Sequence, residues 1–238
     1  MNNLIIASLV YNEEHRFLEK YLDSISKLTN KIVIIDDGST DNSLNICSRY
    51  TSNIFQTNRI FDDKEPELRK MLWDKTTLLA QDGDFILNSD CDEIFTENSL
   101  NHFEEAIYNC NKLGADGLGW TKYDMWNQTQ YREEDPYWIA SKKIWVWCVK
   151  YKKNYNYYWR SNKHHGGSVP INSYFCAYPS KLQIQHWAYS TLELRKEKVD
   201  FYKRIDPKAE WGIKAQYDSI LDENPTLIDF KDNFEDTE

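Results

Sequence analysis

The chain has 238 residues, of which 41% are hydrophobic, and its formal net charge is -9. This length supports one large domain with a substantial core, and the acidic charge argues against nucleic acid as a main partner. The five cysteines are scattered and form no C-x-x-C pair, which favours reduced thiols in a cytoplasmic protein. No apolar stretch approaches the roughly 18 residues of a transmembrane segment, and the apolar run near the N-terminus is too short for a signal peptide.

The first half of the sequence alternates short apolar runs with amphipathic segments. The apolar runs predict buried strands at 4–10, 31–36, 53–56, 85–87 and 116–121. Apolar residues spaced three and four apart predict helices at 17–28, 44–47, 62–80 and 97–112. Thr96 or Asn98 can begin the last of these helices, and Gly114 ends it. The alternation predicts an α/β fold with a doubly wound, mostly parallel sheet.

The second half is rich in aromatic residues. Six of the nine tryptophans and seven of the sixteen tyrosines lie between Trp120 and Trp159. Rings at this density can form a core, an interface or a platform for sugar rings. Further strands are predicted at 143–149 and 182–186, with a helix ending before Pro207. We expect this half to form an aromatic-rich subdomain.

Three polar segments follow predicted strands, at 8–13, 36–41 and 90–93. In an open α/β sheet, the carboxyl ends of the strands border the ligand crevice. Asp90 and Asp92 are alternate residues of an extended chain, so both carboxylates can face one hard cation. Alone, this Asp-x-Asp pair favours a solvated acidic turn over a metal site.

The ordered segments resemble the family 2 glycosyltransferases of the GT-A fold. The resemblance rests on 11–13 after the first strand, 36–41 after the second and the pair of aspartates at 90–92. It covers about the first 120 residues well and extends more loosely to the segment that begins with His186.

The resemblance implies one domain over 1–221, with a Rossmann-like nucleotide-binding half over 1–120 and an acceptor-side half over 121–221. The remaining segment, 222–238, holds seven acidic residues and one lysine. We expect it to be a solvated acidic tail.

The resemblance also implies roles for individual residues. The nucleotide-sugar would contact Ser8, Tyr11, Asn12, Glu13, Asp36, Asp37, Arg69 and Asp90. Asp92, Asp90 and His186 would hold Mn2+ or Mg2+, which would stabilise negative charge on the leaving diphosphate. The expected activity is metal-dependent, inverting transfer from a nucleotide-diphospho-sugar, a UDP-sugar first among them, to a hydroxyl of a glycan or another biomolecule.

An inverting transfer also needs a general base beside the acceptor hydroxyl. Asp135 is the first candidate because it lies in the aromatic segment, and Glu134 and Asp124 are the alternatives. The acceptor is expected to contact Trp126, Trp138 and His165.

Two other functions remain open from the sequence. A phosphatase of the haloacid dehalogenase type would use Asp90 as its nucleophile, but that motif normally follows the first strand of its domain, whereas Asp90 follows about the fourth. A non-catalytic carbohydrate-binding module would explain the tryptophans but not the acidic strand ends. A metal-dependent turnover assay distinguishes these functions.

Overall fold

The computed structural model describes residue 1 and residues 3–232. Its strands are β1 (Leu4–Val10), β2 (Ile32–Asp36), β3 (Ile54–Gln56), β4 (Phe85–Asn88), β5 (Glu93–Phe95), β6 (Gly117–Asp124), β7 (Gln130–Arg132), β8 (Ile144–Lys150), β9 (Ala177–His186) and β10 (Leu227–Asp229). Its helices are α1 (Leu18–Ser26), α2 (Ser43–Ser48), α3 (Phe61–Thr77), α4 (Glu97–Lys112), α5 (Leu192–Ile205) and α6 (Lys214–Asp218). None of the described helices has both the length and the apolar composition needed to cross a membrane.

Eight strands form one sheet in the order β3-β2-β1-β4-β8-β6-β9-β5. The first four are parallel to one another, which confirms the α/β, doubly wound fold predicted for the first half. Beyond β4 the sheet is mixed, because β8 runs antiparallel to both β4 and β6 and β5 runs antiparallel to β9. The result is a GT-A-type sheet that takes strands from both halves of the chain.

Strand β1 lies in the middle of the parallel strands, and helices cover both of its faces. Leu4 and Ile6 pack in the core layer that contains residues of α1 and α4. Ile5 and Ala7 point the other way and pack against Leu68 and other apolar residues of α3. All four β1 residues are fully buried, as expected of a strand with helices on both faces.

Helices α3 and α4 show how local sequence sets their bounds. The Thr96 side chain accepts a hydrogen bond from the Ser99 amide and begins α4, and Gly114, with φ 69°, lies just past its end. Both features are as predicted. Helix α3 is bent at Lys64, two residues before Pro66. The bend arises because the proline nitrogen has no hydrogen to donate to the carbonyl group four residues earlier.

The beginning of the predicted acidic tail is folded. Strand β10 pairs antiparallel with β7, with Ile228 opposite Tyr131. Asp222 forms an ion pair with the buried Arg132 at 2.7 Å. Residues 222–232 are mostly exposed, as expected of a solvated tail, but they are folded rather than frayed, and residues 233–238 lie outside the described part of the chain.

Candidate active site

A cavity of about 680 Å³ opens where β1, β2 and β4 end. Seven of the predicted donor and metal residues line it: Tyr11, Asn12, Glu13, Asp37, Arg69, Asp90 and Asp92. Helix α5 forms the opposite wall through Leu194, Lys198 and Phe201. We call this space the first cavity.

Hydrogen bonds between the loops after β1 and β2 hold one wall of the first cavity. The Asn12 amide donates to Ser39 Oγ at 2.9 Å, and the Thr40 amide donates to Asn12 Oδ1 at 2.8 Å. The Glu13 amide donates to Ser43 Oγ at 2.8 Å. Asn12 has φ 51°, a left-handed conformation that asparagine tolerates well. Two loops that are distant in sequence thus form one preformed surface.

Glu13 presents a largely buried carboxyl group to the first cavity. Burial raises its pKa to about 7, and the nearby Arg16 only partly opposes this rise. Its Oε2 atom is buried and has no hydrogen-bond partner in the described part of the chain.

Ser8 and Asp36 lie beneath the first cavity rather than on its surface. Both are fully buried, and neither lines the cavity. The Ser8 hydroxyl is hydrogen-bonded to the Tyr21 hydroxyl. Asp36 Oδ2 accepts from the Ser39 amide at 3.3 Å, whereas Oδ1 is buried with no partner among the described residues.

Asp37 lines the first cavity, but its carboxylate binds backbone amides and an arginine at the start of α3. It accepts hydrogen bonds from the Ile60 and Phe61 amides at 2.7 and 2.9 Å, and it pairs with Arg59 at 3.1 Å. Arg59 in turn lies 3.7 Å from the centre of the Tyr11 ring. Asp37 therefore fixes the start of α3 and the Tyr11 wall.

The acidic turn after β4 is closed by its own hydrogen bonds. The Glu93 amide donates to the Asp90 carbonyl at 3.0 Å, and the Asp90 amide donates to Glu93 Oε2 at 3.1 Å. The Arg69 guanidinium donates to both oxygens of Asp90, at 2.8 and 3.2 Å. Burial raises the pKa of Asp90, but Arg69 more than offsets this effect and holds the pKa below its usual value. Asp90 is thus an oriented, ionised carboxylate.

Asp92 and His186 come together because β5 pairs with β9. The register sets Glu93 opposite His186, and the Trp187 amide donates to the Asp92 carbonyl at 2.8 Å. His186 Nε2 then lies 3.7 Å from Asp92 Oδ2. On the other side of the ring, His186 Nδ1 donates to Asp124 Oδ1 at 2.6 Å. Such a carboxylate behind an imidazole fixes the ring and directs Nε2 outward.

These residues fit a divalent-ion site in which a bound substrate would supply the remaining ligands. Within residue 1 and residues 3–232, no three His, Cys, Asp or Glu side chains form a ready-made metal cluster. Carboxylates are the donors that Mg2+ and Mn2+ favour, and Mg2+ usually binds one or two of them together with substrate phosphates. Asp92 and His186 offer one carboxylate and one ring nitrogen, so a bound substrate would have to supply further ligands, while both oxygens of Asp90 are held by Arg69.

A second cavity of about 640 Å³ adjoins the first. Both are lined by Phe61, Arg69, Asp90, Lys198 and Phe201. The other walls of the second cavity include Lys122, Trp145, Trp147, His164, His165 and Tyr202. The acidic turn therefore lies between two spaces, with Asp92 lining the first cavity and His186 lining the second.

The family model of glycosyl transferase family 2 matches residues 6–177 of the chain. The chain belongs to this family. The predicted family resemblance is thereby confirmed.

Crystal structures of glucosyl-3-phosphoglycerate synthase from Mycobacterium tuberculosis are similar to part of this family 2 protein. The complex with phosphoglyceric acid matches with 21% identity and a TM-score of 0.35, over 50% of this chain and 44% of the synthase chain. The complex with Mn2+ and uridine-diphosphate-glucose matches with 21% identity and a TM-score of 0.35, over 50% and 43%. The match therefore spans less than half of the synthase. No curated protein matches the chain.

Of the three residues predicted to contact an acceptor, the structure places one in a cavity and buries the other two. His165 lines the second cavity, where its Nε2 is hydrogen-bonded to the Tyr217 hydroxyl at 2.8 Å. Trp126 and Trp138 are only 5% and 1% exposed and line neither cavity. The Arg132 guanidinium covers both rings, at 4.9 and 4.7 Å from their centres. These two tryptophans are core residues of the family 2 protein, which corrects the prediction of sugar stacking.

The predicted general bases also lie away from both cavities. The Asp135 side chain is 74% exposed and pairs with Lys142 at 3.1 Å. Glu134 accepts hydrogen bonds from Arg132 at 2.7 and 3.1 Å. Neither carboxylate lines the first or the second cavity, so the structure does not bring them to the site.

Sequence reasoning missed Lys198 and the position of Asp124. Leu194, Lys198 and Phe201 all line the first cavity, and spacings of four and three put them on one face of α5. That spacing is visible in the sequence. The partnership of Asp124 with His186 depends on the parallel register of β6 and β9, which sets these two residues opposite each other.

Proposed function

We propose that the chain is a divalent-metal-dependent, inverting glycosyltransferase. It would move a sugar from a nucleotide-diphospho-sugar, with a UDP-sugar as the first donor to test, to a hydroxyl of a carbohydrate or another acceptor. The observation that carries this proposal is the position of the acidic turn between two adjoining cavities. The first would take the donor and the second the acceptor, so their reacting groups would meet beside Asp90 and Asp92.

The chain's own residues would have distinct tasks at this junction. Asp92 and His186 would hold the ion, which when bound would stabilise the negative charge on the leaving diphosphate. Asp124 would keep the His186 ring oriented, since it accepts the Nδ1 proton at 2.6 Å. Arg69 would keep Asp90 ionised and turned toward the first cavity.

We assign the general base to Glu93 instead of Asp135. The carboxylates that line the second cavity are those of Glu65, Asp90 and Glu93. Arg69 engages the first two, at 3.5 Å and 2.8 Å. Among the described residues, Glu93 Oε1 pairs only with Lys122, at 4.0 Å, so it is the least engaged of these oxygens. It can accept the proton of an acceptor hydroxyl on the side away from the donor.

A pair of variants tests this assignment. Glu93→Gln keeps an oxygen for the Asp90 amide, so we expect nucleotide binding to persist while transfer falls at least about 100-fold. Asp135→Asn, a matched exposed control, should transfer at the wild-type rate. The reverse result would return the base role to Asp135.

The whole proposal is tested with a panel of nucleotide-diphospho-sugars and Mn2+, monitored by thermal shift and by slow donor hydrolysis. Asp92→Ala should lose at least about 100-fold of the Mn2+-dependent turnover with its fold intact, whereas Asp74→Ala, on the exposed face of α3, should not. Absence of stabilisation by any nucleotide would reject the proposal. Turnover of phosphate esters would favour the phosphatase alternative, and sugar binding without turnover would favour a binding module.

A further inference from the structure

Five basic side chains line the first cavity: Arg16, Arg59, Arg69, Lys198 and Arg204. Each arginine has a carboxylate partner. Arg16 pairs with Glu197, Arg59 with Asp37, Arg69 with Asp90 and Arg204 with Asp62. Lys198 differs from all four, because no carboxylate of the described chain lies within 4.0 Å of its ammonium group.

Lys198 nevertheless stays charged in its half-buried position. Burial lowers its pKa, but the Tyr202 hydroxyl and the carboxylates of Asp92 and Asp90 together raise the pKa above the usual value. The rings of Tyr189 and Tyr202 flank the ammonium group at 6.0 and 5.7 Å. A partly desolvated cation without a contacting anion raises the free energy of the folded protein. Binding a negatively charged ligand beside Lys198 would therefore be favourable.

The position of Lys198 limits what that partner can be. Lys198 lies on α5, across the junction from the acidic turn, and lines both cavities. It attracts Asp90 and Asp92 without touching either. A ligand between them would offer anionic oxygens to the ammonium group and, under the proposed function, to an ion that Asp92 would hold. Phosphate oxygens meet both requirements.

We propose that Lys198 binds a phosphate oxygen of the donor's diphosphate and stabilises it as the leaving group. This inference rests on the proposed function. In the transfer, the bond between the anomeric carbon and the phosphate oxygen breaks, and its electron pair stays on the diphosphate. The acceptor oxygen bonds to the anomeric carbon, and its proton passes to the base. Lys198 balances the charge that grows on the diphosphate, which lowers the barrier.

Calorimetry with UDP and uridine in the presence of Mn2+ tests this role. Lys198→Met removes the charge but keeps the length of the side chain, and Lys196→Met is a matched exposed control on the same helix. We expect Lys198→Met to bind UDP about 10- to 100-fold more weakly, with unchanged uridine affinity and a shallower salt dependence of UDP binding. Lys198→Arg should restore most of the affinity, and Lys196→Met should bind UDP as wild type does.

The outcomes separate this inference from the proposed function. If wild type binds UDP and Lys198→Met binds it equally well, the inference fails while the proposed function stands. If UDP affinity is unchanged and only turnover falls, Lys198 does not bind the diphosphate before the reaction, and the proposed binding role is overturned although a role in the transition state remains. If wild type binds neither UDP nor any other nucleoside diphosphate, the proposed function fails and the inference with it.

Discussion

Asp124→Asn is the substitution that most directly tests the proposal that Asp92 and His186 bind a metal ion. The Asp124 side chain is 7% exposed, and Asp124 Oδ1 accepts the His186 Nδ1 proton at 2.6 Å. Burial raises the pKa of Asp124, but this hydrogen bond and the nearby Lys122 hold it below its usual value, so the group is an anion. Asparagine has the same shape and a carbonyl oxygen that can still accept the proton. The substitution therefore removes charge from behind the imidazole without removing its contact.

We expect the Asp124→Asn protein to bind the metal ion more weakly. Carboxylates that hydrogen-bond to a metal-binding histidine typically contribute 10- to 100-fold, which corresponds to about 1–3 kcal/mol of binding free energy. We expect Mn2+ to bind Asp124→Asn more weakly by this factor, measured from the electron paramagnetic resonance signal of free Mn2+ in a titration with UDP present. Saturating Mn2+ should restore most of the turnover, since Asp124 does not contact the reacting groups in the proposed site.

Asp116→Asn is the matched control. Asp116 is also ionised and hydrogen-bonded, to Lys152 at 2.6 Å, but it does not line either cavity. Its Mn2+ affinity should equal that of wild type. Unchanged Mn2+ affinity in a folded Asp124→Asn protein would refute the assignment of His186 as a metal ligand. Turnover that stays low at saturating Mn2+ would instead indicate that Asp124 acts on the substrate.

Three further predictions concern stability. Asp37→Ala leaves two amides and Arg59 without their buried acceptor, so the free energy of unfolding in urea should fall by about 3–5 kcal/mol; a loss below about 1 kcal/mol would contradict that role. Gly119→Ala places a methyl group against the Ile144 side chain at the irregular pairing of β6 and β8, which should cost about 1–3 kcal/mol, and adding Ile144→Ala should recover part of it. Glu13 has its pKa raised from 4.5 to about 7 by burial. The folded state therefore binds more protons than the unfolded state between these values, and the stability of the metal-free protein falls as pH rises through this window. Glu13→Gln should remove about 1–3 kcal/mol of that fall, and parallel pH profiles for the two proteins would be evidence against it.

The sequence was most informative where local pattern decides structure. The apolar run 4–10 and the helix 97–112 have the bounds predicted, because burial on both faces and a threonine cap are local properties. The acidic turn was also predictable, since it is a polar break directly after a buried strand. Strand β5 was missed because Glu93–Phe95 becomes a strand only by pairing with β9.

The acceptor side was predicted poorly because composition does not reveal exposure. Trp126 and Trp138 were expected to present their rings to a ligand, yet Arg132 covers both and they are buried. The half-buried Trp145 and Trp147 line the second cavity instead. Which tryptophans face a cavity depends on how β8 crosses the sheet, and that is a long-range property of the fold.

Strand β8 has a consequence for fragments of the protein. It comes from the second half of the chain but lies between β4 and β6, with Leu87 paired to Cys148. Within the described residues this edge of β4 is paired only by β8, so a chain that ends before residue 144 leaves it unpaired. Unpaired strand edges invite pairing with other chains. A fragment ending at residue 120 lacks β8, so we expect it to expose this edge and to associate more readily than the full chain, measured by light scattering.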